Sequence, residues 1–137
     1  MPDSCVLGVD LGGTAIKLGL FSRDGELLAD HQRPTPQPAT PGSVCVEIVE
    51  AIGSLDPDGL ASMVGIGLPG PMDADARVAR VCINLPGWEE VPLAAWLEPR
   101  LKRRVTLAND GNCALVGEAW KGAAVGCSDV VLLTLGT

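Results

Sequence analysis

The sequence predicts a mixed α/β sheet that opens as an antiparallel meander and continues as parallel strands alternating with helices. Three observations carry this expectation. The first three β-type runs are separated by glycine turns too short to hold a helix. After a proline-rich stretch the pattern becomes helix, strand, helix, strand, helix, strand, and strands joined through helices pair in parallel. Finally, 47% of the 137 residues are hydrophobic and 20% charged, which is enough for one packed core and too apolar for a disordered chain.

Residues 6–11 and 16–21 read as strands on either side of Gly12-Gly13. Asp24-Gly25 is a hairpin signal ahead of a third strand over 27–32. Pro34, Pro36, Pro38 and Pro41 mark an extended connector. A helix follows from about Ser43, with Val44, Ile48, Ala51, Ile52 and Leu55 on one face. Residues 63–67 form a short buried strand. Leu93, Trp96, Leu97 and Leu101 fall at helical spacing, with Pro99 expected to kink or split that helix. Residues 105–108 read as a strand and 109–121 as a helix whose apolar stripe is Cys113, Val116, Gly117 and Trp120. Residues 130–135 form a strongly apolar strand that runs into Gly136-Thr137. Strands of that composition feed something further, so the chain reads as ending within a loop.

The formal net charge of −7 argues against a nucleic-acid partner, whose phosphates demand clustered Lys and Arg. Arg100, Lys102, Arg103 and Arg104 read as a solvated helix end beside negative carbonyls. There is neither a basic leader nor an apolar run long enough to span a bilayer, so a soluble cytoplasmic protein without a membrane partner is expected. The five cysteines form no CxxC pair and read as buried free thiols in a reducing compartment. His31, beside the prolines, reads as a surface residue.

Asp10, the Gly12-Gly13 turn and Thr14 bring together a carboxylate, a hydroxyl and a row of backbone N–H groups. Glycine permits positive φ and close approach to a ligand. Such donors hold phosphate oxygens, and the carboxylate can hold a metal ion or its water. An ordinary glycine hairpin is the competing reading. Asn109-Asp110 lies where a strand passes into a helix, and the helix dipole there favours an ionised Asp110. Such a carboxylate can take a proton from a hydroxyl, or one of the two residues can simply cap the helix. Asn84-Leu85-Pro86-Gly87-Trp88 either hydrogen-bonds and stacks on a sugar or is a Pro-Gly turn with Trp88 in the core. Gly65-Ile66-Gly67-Leu68-Pro69-Gly70 matches GxGxxG. Pro69 removes an N–H that a pyrophosphate loop needs, so a sharp turn at a cleft mouth is favoured over a dinucleotide fold.

Four blocks in this order resemble the ROK sugar kinases, the glucokinase-like branch of the actin-like ATPase superfamily with its ribonuclease H-like core. They are Asp10-Leu11-Gly12-Gly13-Thr14 with Lys17, Gly65–Pro71 with Asp73, Asn84–Trp88, and Asn109-Asp110-Gly111-Asn112 with Gly117-Glu118. The resemblance implies ATP-dependent phosphorylation of a hexose. Asp110 would be the catalytic base, and Asn109, Gly70 and Asn84 would line the sugar pocket with it. Gly12, Gly13 and Thr14 would face ATP phosphates, and Asp10 would hold Mg2+ or its waters. Lys17 would approach phosphate or point to solvent. Gly136 and Thr137 would begin a second phosphate loop.

The resemblance also implies a division into an N-terminal lobe, residues 1–121, and the start of a second lobe, residues 122–137. The rest of that second lobe, with the family's adenine site and zinc cluster, is absent from this sequence, and the chain alone is expected to be inactive or nearly so. Glucose is the default sugar; mannose, N-acetylated hexosamines and fructose stay open, as does polyphosphate as donor. The competing readings are a sugar-responsive regulator on the same fold and a non-catalytic sugar-binding fragment. The regulator's N-terminal DNA-binding segment has no room before the first strand. A homodimer, or self-association through a strand at 130–135, is expected.

Overall fold

The computed structural model describes residues 5–136. Its main sheet has the strand order β3-β2-β1-β4-β7, built from β1 (Cys5–Leu11), β2 (Ala15–Ser22), β3 (Leu27–Pro34), β4 (Ala61–Leu68) and β7 (Arg104–Asn109). β3, β2 and β1 pair antiparallel, as the two tight turns require. β1, β4 and β7 pair in parallel. Their crossovers carry α1 (Pro41–Leu55) and α2 (Leu93–Leu101). A two-stranded sheet, β5 (Ala79–Val81) with β6 (Glu89–Val91), lies between β4 and α2 in the chain.

Alternation decides which face is core. Leu7, Val9 and Leu11 of β1, Ile16, Leu18 and Leu20 of β2, and Val64, Ile66 and Leu68 of β4 are all buried. They meet Val44, Ile48, Ala51 and Ile52 of α1 and Leu93, Ala94 and Leu97 of α2. Each such Val, Leu or Ile side chain contributes about 1.5–3 kcal/mol by leaving water. Thr40 caps α1 by accepting from the Ser43 N–H at 3.3 Å. At the other end Asp56, buried, accepts from the Leu60 and Ala61 N–H groups and from Arg103 at 2.7 Å. Arg103 is therefore half of an inward ion pair and not part of a solvated helix end.

The opposite face has a different character. Gly19, Gly8 and Gly65 stand in one row across β2, β1 and β4. α3 (Asp110–Lys121) bridges this face without burying a residue. Cys113, Val116 and Trp120 are exposed, so the expected stripe covers no core; Trp120 instead lays its ring against Gly25 in the β2–β3 turn. Gly65 has open space where a Cβ would stand. Glycine within a strand costs roughly 0.5–1 kcal/mol relative to alanine, and Gly65→Ala is expected to raise the unfolding free energy of this chain by about that much. A fall in the urea midpoint would show that the site is not open.

Four further expectations change. α2 runs unbroken through Pro99; its left-handed C-cap residue, Lys102, donates to Glu98 O at 2.7 Å. No strand forms over residues 130–135, and Val131, Leu133 and Leu135 are exposed. Cys5, Cys45 and Cys82 are buried as expected, whereas Cys113 and Cys127 are exposed. His31 is partly buried on β3, where its Nε2 accepts from Arg33 Nε at 3.2 Å. No helix among the described residues is long and apolar enough to cross a membrane.

Candidate active site

β1, β4 and β7 run in the same direction, so their carboxyl ends lie side by side. Ligands of open α/β sheets bind outside such ends. Three loops leave there: the Gly12–Thr14 turn after β1, Pro69–Pro71 after β4, and the start of α3 after β7. Register puts Asp10 beside Gly67 and Gly67 beside Ala108. Two strand spacings therefore separate Asp10 from Ala108, about 10 Å, and Asp110 follows two residues later.

Asp10 and Asp110 line one cavity of about 900 Å³. Lys17, directly across the ladder from Asp10, lines it too, as do Gly67, Gly111 and Cys113. The two carboxylates sense each other. Desolvation over the sheet, then the Asp110 charge, push the Asp10 carboxyl above the ordinary aspartate range, and Lys17 opposes this. An acid whose folded pKa is raised destabilises the fold when ionised. The penalty is full above the folded pKa and vanishes below the unfolded value near 3.8. Asp10→Asn is accordingly expected to raise the melting temperature at neutral pH, with the gap closing as the pH falls towards 4. An equal gap at pH 3.5 and pH 7.5 would contradict this.

Partial desolvation raises the Cys113 thiol, and both aspartates add to the effect. The Cys82 thiol is pushed up to about 11, mainly by burial and then by the Asp110 charge. Neither cysteine is thereby made a nucleophile.

Asn109, not Asp110, caps α3. Its side-chain oxygen accepts from the Asn112 N–H at 3.2 Å, and its Nδ2 donates to Gly70 O at 3.3 Å. Asp110 is the first helical residue; one carboxylate oxygen accepts from the Gly111 N–H at 2.8 Å, and the other faces no donor among the described hydrogen bonds. The capping reading thus belongs to Asn109, leaving Asp110 available at the cavity.

Neither Gly12 nor Gly13 has positive φ. The turn closes through the Gly12 N–H to Ala15 O at 3.0 Å, and a Cβ on Gly12 would crowd that oxygen. Residues of the proline-rich connector hold the turn from outside. The Thr35 hydroxyl donates to Gly12 O at 2.6 Å, the Thr35 N–H to Thr14 O at 2.9 Å, and Gln37 Nε2 to Gly13 O at 3.0 Å. Sequence reading missed both; Thr and Gln between prolines were the available signal. Gly13 and Thr14 are exposed at the tip.

Of the candidates only Asp10, Lys17 and Asp110 line the cavity; Gly12, Gly13, Thr14 and Asn109 do not, and neither do the remaining ones. Gly70 sits against β5, where a Cβ would collide with Val81 O. Asn84 is exposed in the loop between β5 and β6. Trp88 is core: it is 2% exposed and its Nε1 donates to Ala39 O at 2.8 Å. β4 runs into the loop that leads to β5 and not into a helix, which removes the dinucleotide reading of GxGxxG. Gly136 is exposed, and Thr137 lies outside the described residues.

Over its whole length this chain is 40% identical to the glucokinase of Thermotoga maritima, of which it covers 43%. Among solved structures, it matches the inorganic polyphosphate/ATP-glucomannokinase of Arthrobacter sp. strain KM with a TM-score of 0.81 at 34% identity, covering 91% of this chain and 51% of that one. It matches a ROK family glucokinase from Streptomyces griseus, solved with glucose and AMPPNP, with a TM-score of 0.83 at 30% identity, covering 89% and 38%. The fold is that of the actin-like ATPases, as expected. The chain spans less than half the length of the curated relative. With the ROK profile matching residues 6–137, the chain belongs to the ROK family.

Proposed function

We propose that this chain is the N-terminal part of an ATP-dependent hexose kinase, with Asp110 as the base and Asp10 on the phosphate side. The single observation that supports this is the shared hollow: the Asp10 and Asp110 carboxylates line one cavity, which spreads over the glycine-bearing face of the sheet beside the start of α3 and is lined by Asp30 of β3 as well. A second carboxylate facing Asp10 favours phosphoryl transfer over a purely sugar-sensing fragment.

Phosphoryl transfer needs alignment and charge neutralisation more than covalent help. Asp110 accepts the hydroxyl proton as the oxygen bonds to phosphorus, and its bond from the Gly111 N–H fixes its orientation. Asn109 keeps one N–H for a neighbouring sugar hydroxyl while the other holds Gly70. Gly12, Gly13 and Thr14 present the exposed turn to the phosphates, and Lys17 adds positive charge. Among the described residues no cluster of three metal-ligating side chains exists. A single carboxylate nonetheless fits Mg2+, which keeps several waters and takes one or two carboxylates plus phosphate oxygens. Asp10 would hold it, and it would neutralise developing phosphate charge.

We assign residues 1–121 to the N-terminal lobe and 122–137, with Gly136 and Thr137 as phosphate-loop residues, to the beginning of the second. Alone, the chain should show no hexose-dependent ADP release. The deciding test joins it to the part of the Thermotoga maritima glucokinase beyond the match. Asp110→Asn in that fusion should lower kcat about 10²–10⁴-fold with little change in KM; an unchanged kcat overturns the assignment. Glucose is the first hexose to try, and ATP and polyphosphate are the donors to compare. A cytoplasmic location fits the kinase reading. The exposed apolar residues Val131, Leu133 and Leu135 favour self-association by strand pairing. Light scattering should show a dimer at high concentration, and a strict monomer would dismiss this.

A further inference from the structure

The outer edge of β7 is not bare. A hairpin formed by residues 71–81 lies along it, closed by the Arg80 N–H to Pro71 O and the Asp73 N–H to Val78 O, both at 3.0 Å. Asp73 makes the tip by accepting from the Arg77 and Val78 N–H groups at 2.7 and 2.8 Å, bonds that hold its carboxyl below the usual range.

Three ties fasten the hairpin and Gly70, the residue before it, to β7 along the strand's length. At the start, Arg77 donates to both oxygens of Glu98 at 2.6 Å and to Val105 O at 3.0 Å, while Glu98 accepts from the Val105 N–H at 3.0 Å. In the middle, the Leu107 N–H donates to Ala76 O at 2.9 Å. At the end, Asn109 Nδ2 donates to Gly70 O. Ala76 holds φ at 57°, a conformation an L-residue adopts only when its surroundings fix it. The Ala94 N–H to Arg77 O at 3.3 Å adds α2 to the same unit. The Arg77 hydrogen bonds, and then the Val105 N–H, bring the Glu98 carboxyl down to about 2, so the pair stays ionised throughout ordinary handling.

We infer that Arg77 and Glu98 are positioning residues of the phosphoryl-transfer site: they fix the hairpin on β7 and so set where Gly70 and Asn109 stand relative to Asp110. This rests on the kinase reading for its chemistry, but the mechanical coupling can be read without it. A bidentate Arg–carboxylate pair has the geometric specificity that such alignment demands.

The test uses nitrogen-15 NMR spectra of this chain with Glu98→Ala, Glu98→Gln and Arg77→Lys. Glu98→Ala should move the Asn109 side-chain amide pair and the Gly111 and Asn112 amides by more than a line width. Glu98→Gln, whose amide oxygen can still accept from the Val105 N–H, should bring them part of the way back. If only Val105 and Leu107 respond, the clamp merely stabilises an edge and the inference fails. Should Glu98→Ala not fold, Arg77→Lys, which keeps charge but loses the fork, reads the same signals. In the fused kinase, Glu98→Ala should raise the hexose KM on the order of tenfold to a hundredfold with nucleotide KM unchanged. Equal changes in both KM values would also overturn the inference. An unaltered kcat in Asp110→Asn would instead sink the kinase reading, leaving the NMR result to decide the coupling.

Discussion

Arg103→Ala is expected to destabilise the fold by about 3–5 kcal/mol, lowering the melting temperature by roughly 10 °C or more. The cause is the charge left behind. The Asp56 side chain is 1% exposed and that of Arg103 14%, so removing the guanidinium strands a carboxylate where water cannot replace it. Its two backbone bonds, from Leu60 and Ala61, compensate in part. The paired change Asp56→Asn with Arg103→Met should recover only part of the loss: it removes the unpaired charge, but the amide oxygen can accept from one of the Leu60 and Ala61 N–H groups and the NH2 faces the other. A double variant no more stable than Arg103→Ala would show that the pair matters for packing and not for charge.

Gly70→Ala is the second large effect, and it separates position from stability. The added methyl meets the Val81 carbonyl oxygen, a backbone atom held within the β5–β6 ladder. Neither neighbour is a flexible side chain, so the loop after β4 must move, at a cost of about 1–3 kcal/mol. That movement carries Gly70 O away from Asn109 Nδ2 and loosens the cap of α3. Faster hydrogen exchange at Gly111 and Asn112 is the expected signature. Unchanged exchange there, despite lowered stability, would mean that the loop absorbs the methyl without touching the α3 cap.

Much of this was legible in the sequence because local chemistry and long-range packing agree. Asp24-Gly25 closes the β2–β3 hairpin with Gly25 at φ 82°, and Val44, Ile48 and Ile52 turn the stripe of α1 inward. The Asp10 and Asp110 blocks reach one cavity because each sits at the end of a parallel strand, a consequence of the strand–helix alternation. Neither the β5–β6 pair nor the hairpin of residues 71–81 was legible. Three-residue strands carry no periodicity, and Arg77 and Glu98 lie 21 residues apart. The strand expected at 130–135 fails for a different reason. Composition gives a segment β propensity, but a ladder needs a partner, and the outward backbone groups of β7 at Val105 and Leu107 are already bonded to Arg77, Glu98 and Ala76. The stripe on α3 was read correctly as a pattern, yet periodicity does not say whether a second surface meets it.

The central claim is that Asp10 and Asp110 serve one hollow. Paramagnetic broadening by Mn2+, added with a non-hydrolysable ATP analogue, measures this most directly. The account predicts that signals of Asp10, Gly67 and Gly111 broaden together at low metal concentration and that Asp10→Asn abolishes all three effects. Broadening centred on the acidic face of α1 at Glu47 and Glu50, with Gly111 untouched, would contradict it.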